Sequence, residues 1–173
     1  MKPPRHLILP QRKHSLYQIY SYKKDNVSYR LELSFDKDTE NKSKENIYRI
    51  VIAAVELAKQ KTGALIVIER DIKIKDIINT GIVMDAEISP QVLVNIFVPN
   101  TPLHDGAVII SDNKIAAASC MLPLADDKDI ARELGTRHRA ALGISEESDA
   151  IAIVVSEGNS AKKGILIKTS ETL

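Results

Sequence analysis

Along residues 27–35, Val27, Tyr29, Leu31, Leu33 and Phe35 alternate with Ser28, Arg30, Glu32 and Ser34. A period of two belongs to a strand with one buried face. Residues 16–22 offer a partner across a turn at Lys23-Lys24-Asp25-Asn26, so the pattern predicts a hairpin. Residues 36–46 are charged and polar, with no large apolar side chain, and read as a linker or exposed loop. The period then changes. Ile47, Ile50, Val51, Ala54, Val55 and Ala58 recur at helical spacing, with Ser43 available as an N-cap and Gly63 placed to end the helix in a left-handed conformation.

Beyond Gly63 the apolar runs become short. Residues 64–68 form a continuous apolar stretch, as expected of a strand covered on both faces. Ser89-Pro90 is a cap followed by a first-turn proline and opens a helix reaching about Phe97. Residues 107–110 and 115–120 are two apolar runs separated by Ser111-Asp112-Asn113-Lys114, a hairpin signal. A helical stretch around 129–143 precedes strands at 150–155 and 165–167. Helices and strands interleave, so the expected fold is α/β, a single domain with a mixed central sheet flanked by helices. The expected division is an N-terminal extension, residues 1–45, of hairpin plus linker, followed by a globular domain, 46–173.

Composition narrows the function classes. The chain has 173 residues, 44% hydrophobic and 27% charged, enough for one core and too few for several domains. Its net charge of +1 gives no overall field to gather nucleic acid or an anionic membrane. That balance conceals a division: residues 1–46 hold ten Lys/Arg and six Asp/Glu, and residues 47–173 hold fourteen and seventeen. Aromatics also concentrate at the front, and Tyr48 and Phe97 alone lie beyond it, so a base-stacking nucleic-acid binder is not expected. No apolar run approaches the about 18 residues of a membrane span. One cysteine, Cys120, cannot form an internal disulfide, and with no signal peptide the expected compartment is the reducing cytoplasm.

Three polar segments lie at the ends of expected strands. The first is Leu103-His104-Asp105-Gly106-Ala107, a carboxylate and a glycine at the mouth of a buried strand; standing alone, Asp-Gly there is most often a turn. The second is Gly135-Thr136-Arg137-His138-Arg139, with Thr136 able to cap the helix that follows. A helix N-terminus beside arginines offers a phosphate free N–H donors, a favourable dipole and bidentate cations. A surface helix whose arginines pair with Glu133, Glu146 or Glu147 fits those residues equally well. The third is Ser156-Glu157-Gly158, which by itself reads as a polar turn. No Walker-type glycine-rich loop occurs in the chain, so a P-loop nucleotidase is unsupported.

In order and wording these segments resemble the diadenylate cyclase (DAC) family, and most closely its membrane-associated CdaA branch. The resemblance rests on Gly63-Ala64-Leu65-Ile66-Val67-Ile68-Glu69-Arg70 and on the run from Pro99 through Asp105-Gly106-Ala107 to Ile110. It continues through Glu133-Leu134-Gly135-Thr136-Arg137-His138-Arg139-Ala140-Ala141 and Gly143-Ile144-Ser145-Glu146. It implies condensation of two ATP into cyclic di-AMP with release of two pyrophosphates, on a divalent metal, Mg²⁺ or Mn²⁺ or else Co²⁺. It further implies turnover between two face-to-face subunits, hence a homodimer or higher homo-oligomer. Asp105 would stand by the ribose 3′-hydroxyl and the metal, with Glu157 or His104 as a further metal neighbour. Arg137 and His138 would act with it in catalysis. ATP would be held by Gly106, Ala107, Thr136, Arg137, His138, Arg139, Ser156 and Glu157, with the Leu122 backbone at the adenine edge.

Three features depart from that pattern. Gly158-Asn159-Ser160 stands where the branch continues with a second glutamate and a Thr-Gly pair, which would weaken metal binding if that acid is a ligand. Met121 replaces a tyrosine beside the adenine, exchanging ring stacking for thioether packing. Relatives in that branch are membrane-anchored, whereas a basic, tyrosine-rich hairpin precedes the domain here. The alternative expectation is therefore a catalytically weak protein of the same fold that binds ATP or cyclic di-AMP as a regulatory or partner subunit. A further one is that the head docks a protein through its strand edge.

Overall fold

The computed structural model describes residues 16–24, 27–35, 40–125, 135–157 and 165–168. The chain divides into two compact units, residues 1–43 and 44–173. In the first, β1 (Leu16–Lys24) and β2 (Val27–Phe35) pair antiparallel, from Leu16 against Phe35 to Lys24 against Val27. Asp25 and Asn26 of the expected turn lie outside the described residues.

Helix α1 (Glu40–Lys59) begins earlier than the expected linker allows, and Ser43 lies inside it rather than capping it. Glu and Lys are good helix formers without any apolar face, so this first turn carries no hydrophobic signature. The buried stripe Ile47, Ile50, Ala54 and Leu57 follows. Gly63 does not supply the left-handed end. Lys61 does, at φ 57°, with Lys61 N–H donating to Ala58 O and Thr62 N–H to Leu57 O, a Schellman closure.

The second unit is a mixed α/β domain whose six-stranded sheet is flanked by helices. The strands are β3 (Ala64–Ile68), β4 (Ile82–Glu87), β5 (Ala107–Ser111), β6 (Lys114–Cys120), β7 (Ile151–Val155) and β8 (Ile165–Lys168), in the order β4-β6-β5-β3-β7-β8. Only β3 and β5 run parallel; the other neighbours are antiparallel. Helix α2 (Lys75–Ile78) is a single turn, and it and edge strand β4 have no counterpart among the expected elements. Helix α3 (Pro90–Ile96) begins as expected, with the Ser89 hydroxyl accepting from Val92 N–H at 3.1 Å. The β5–β6 connection places Asp112 and Asn113 at φ 47° and 62°, the conformation of a two-residue type I′ hairpin.

Helix α4 is described over Thr136–Glu147, and residues 126–134 of the expected helical stretch lie outside the described residues. Its N-cap is Gly135, which has no side chain to offer, and Thr136 is the first helical residue rather than the cap. One face of the sheet presents Leu65, Val67, Ala107, Ile109, Ala117, Ala152 and Val154 to Ala140, Ala141 and Ile144 of α4. Ile66, Val108 and Ile153 alternate with these, point to the other face and are equally buried. Asn46 ties α1 to the β5–β6 hairpin by donating to the backbone and side-chain oxygens of Asn113, both at 3.2 Å. Among the described residues no helix is long and apolar enough to cross a membrane.

Candidate active site

Strand register decides what meets at each end of the sheet. Ala64 is opposite Val155, and Ala107 is opposite Cys120. Parallel pairing of β3 with β5 sets the start of one beside the start of the other. The starts of β3 and β5 and the ends of β6 and β7 therefore share one end of the sheet, bringing together Gly63, Asp105-Gly106, Met121-Leu122 and Ser156-Glu157. Helix α4 brings its N-terminus to the same place: Arg137 donates to Glu157 Oε1, and Ser156 Oγ lies 3.2 Å from His138 Nε2. The second and third polar segments thus meet through side chains, and the first joins them through the sheet.

The Asp105 carboxylate is exposed and has no hydrogen bond or ion pair among the described residues, while its backbone carbonyl accepts from Ser119 Oγ at 2.7 Å. Gly106 has φ +100°, and a Cβ on it would stand 2.7 Å from Cys120 O, so this turn accepts only glycine. Ala107 is fully buried within β5, which leaves its backbone as the part able to face a ligand. His104 is committed to the preceding turn, its Nδ1 2.6 Å from Thr101 O.

Thr136 is exposed at the start of α4, where the first N–H groups have no intrahelical acceptor. Arg139 points elsewhere: its Nη2 donates to Ala125 O at 3.4 Å, and Ala125 N–H donates back to Arg139 O. Its Nε is buried without a partner among the described residues. Arg139 therefore braces the segment after β6, and the cation facing Glu157 is the partly buried Arg137. Leu122 is half-buried against the core, while the Met121 side chain is 70% exposed. Gly158, Asn159 and Ser160 lie outside the described residues.

Two residues at this end were not read as part of the site from the sequence. A Cβ on Gly63 would collide with the Glu157 carboxylate and stand 2.7 Å from Arg137 Nη1. The missing side chain is what lets that ion pair cross the start of β3. Thr80, between α2 and β4, accepts from Met121 N–H at 2.9 Å and donates to Ile77 O at 2.7 Å, which fixes the segment leading to Leu122. Neither signal is readable from spacing, because both depend on which strands become neighbours. Glu69, by contrast, belongs to the matching motif but lies at the opposite end of β3.

A divalent cation is the cofactor that the resemblance to the diadenylate cyclases implies. Among the described residues no three His, Cys, Asp or Glu side chains cluster as a metal cage. The donor set is one unengaged carboxylate, Asp105, and one shared with Arg137, Glu157. That set would fit a hard ion that keeps most of its waters.

The family model described as "DisA bacterial checkpoint controller nucleotide-binding", the DAC domain, matches residues 51–164, and the chain belongs to that family. It is 53% identical over 118 residues to the cyclic di-AMP synthase CdaA of Bacillus subtilis, covering 68% of this chain and 43% of that protein. It is 60% identical over 111 residues to a diadenylate cyclase of Listeria monocytogenes, covering 62% of this chain and 41% of that protein. The chain thus spans about two-fifths of the length of these relatives. The crystal structure of DacA from Staphylococcus aureus superposes with a TM-score of 0.69 at 47% identity, covering 73% of this chain and 83% of that one.

Proposed function

We propose that this chain is a diadenylate cyclase, joining two ATP into cyclic di-AMP with release of two pyrophosphates. The observation that carries the reading is the meeting of an unengaged carboxylate, Asp105, with the Arg137 and His138 end of α4 at one end of the sheet. Phosphoryl transfer asks chiefly for positioning and charge neutralisation, and these residues supply both.

Each subunit holds one ATP. The ribose 3′-oxygen of one nucleotide attacks the α-phosphorus of the other, a new 3′-O–P bond forms, and the bond from the α-phosphorus to the bridging oxygen breaks. Pyrophosphate leaves, and repetition in the other direction closes the ring. Two subunits must therefore face each other. Asp105 accepts the 3′-hydroxyl proton directly or orients the group that does. Thr136, Arg137 and His138 hold the phosphates, with Ser156 steadying His138, while Gly106 and the Leu122 backbone lie along the nucleoside. Asp105 and Glu157 would hold the divalent ion, Mg²⁺, Mn²⁺ or Co²⁺, which when bound neutralises phosphate charge and acidifies the attacking hydroxyl.

The test is mass spectrometry of the purified protein incubated with ATP and each metal, with Asp105→Asn as control. That carboxylate is exposed and unpaired among the described residues, so the variant is expected to fold normally. Cyclic di-AMP from the parent and none from the variant supports the reading. ATP binding without product in any metal overturns it in favour of a binding subunit.

A further inference from the structure

The β5–β6 pairing contains a slip beside the candidate site. Ala107 faces Cys120, yet Ile109 faces Ala117, so two steps along β5 correspond to three along β6. The extra residue is accommodated next to Ser119, which takes φ +57°. Left-handed backbone disfavours any side chain but is neutral for glycine, so a serine is the more strained choice there. What serine adds is a hydroxyl, and that hydroxyl donates to the backbone carbonyl of Asp105 at 2.7 Å. The same end of β6 presses on the next residue: a Cβ on Gly106 would lie 2.8 Å from Ser119 C and 2.7 Å from Cys120 O.

We infer that Ser119 is a positioning residue for the reaction, holding the Asp105–Gly106 turn so that the Asp105 side chain projects from a fixed backbone. The inference rests on the cyclase reading. Asp105 is exposed and its carboxylate has no partner among the described residues, so what the fold fixes is its backbone, and with it the point and direction from which the side chain leaves the turn. That backbone is fixed from one side by strand β5 and from the other by Ser119. A bulge that re-aims a group at a site edge, with strain retained at the residue that makes the bond, is the pattern seen here.

Two substitutions separate positioning from mere turn formation. Ser119→Gly removes the hydroxyl and relieves the backbone. Its melting temperature is expected to be unchanged or higher while kcat falls about tenfold and KM for ATP stays within about twofold. Ser119→Thr keeps the hydroxyl and adds β-branching at positive φ; it is expected to melt lower yet retain kcat when assayed well below its transition. Hydrogen exchange of the amides over 103–107 is measured on the same proteins and is expected to accelerate in Ser119→Gly only. A Ser119→Gly variant with parental kcat and parental exchange overturns the inference. If the parent makes no cyclic di-AMP, the cyclase reading fails separately and exchange alone decides: unchanged protection over 103–107 then overturns the role of Ser119.

Discussion

The Arg137 guanidinium and the Glu157 carboxylate meet over the start of β3, at the one point where Gly63 presents no side chain. The two side chains are 27% and 59% exposed, so as a surface pair they contribute little to stability, about 1 kcal/mol or less. Their importance is positional. A methyl group at 63 displaces both at once, moving the cation proposed to grip phosphate. Gly63→Ala is expected to lower affinity for a non-hydrolysable ATP analogue about fivefold, the equivalent of one good hydrogen bond. Calorimetric titration beside a thermal melt checks this, and unchanged affinity would remove Gly63 from the site.

Cys120 sits one residue before the proposed adenine segment and is chemically quiet. Burial pushes its thiol up to about 11, and 1% of the residue is exposed. The thiolate is the reactive form, so a disulfide reagent at pH 8 should modify the folded protein far more slowly than the denatured chain. Rapid labelling without denaturant would show that the end of β6 opens readily. Gly81 seals the same spot, since a Cβ there would strike the Cys120 sulfur and lie 2.5 Å from Ala118 O. Gly81→Ala is therefore expected to cost about 1–3 kcal/mol in denaturant unfolding, the usual range for overpacking.

Strands β3, β5 and β7 were legible because each is a short apolar run buried on both faces, and the partly buried β6 because its apolar run follows a hairpin turn. Strand β4 was not, since Ile82 and Val83 are exposed and the strand lies at the sheet edge, where no apolar period is demanded. The start of α1 was hidden for a related reason: its charged first turn satisfies helix propensity without an inward face. At the site, Asp105, Arg137, His138 and Ser156 were visible as residue types, but their meeting follows from strand register, which is a property of pairing. Gly63 read as a helix end because glycine commonly ends helices; in the structure Lys61 takes the left-handed position and Gly63 instead leaves room for an ion pair. Arg139 shares a motif with Arg137 yet turns to Ala125, since neighbouring residues on a helix point in different directions.

If two half-sites complete one reaction, protein concentration enters the rate law. The rate should rise with the square of protein concentration when subunits are mostly apart, and linearly once they are paired. An initial-rate series over several decades of dilution at saturating ATP and fixed metal would show the change of order. Strict first-order dependence down to concentrations where sedimentation finds single subunits would contradict the face-to-face requirement.

Glu69 supplies an acid-sensitive element, at the end of β3 remote from Asp105. Its side chain is 2% exposed, and burial alone would raise its pKa. Lys73 Nζ at 2.8 Å, Ile74 N–H at 2.9 Å and the Ser111 hydroxyl at 2.7 Å all donate to the carboxylate and hold it below the usual range. A folded-state pKa below the unfolded value of about 4.3 means that the charged carboxylate stabilises the fold fully above that range. That contribution is lost as pH falls through the folded value. Glu69→Gln should therefore melt lower than the parent at neutral pH, by the equivalent of about 1–3 kcal/mol, because three donors lose their charged acceptor. The gap between the two melting curves should close progressively as pH is taken from 6 toward 3. A gap that stays constant to the acid limit would mean that Glu69 acts through its shape and not its charge.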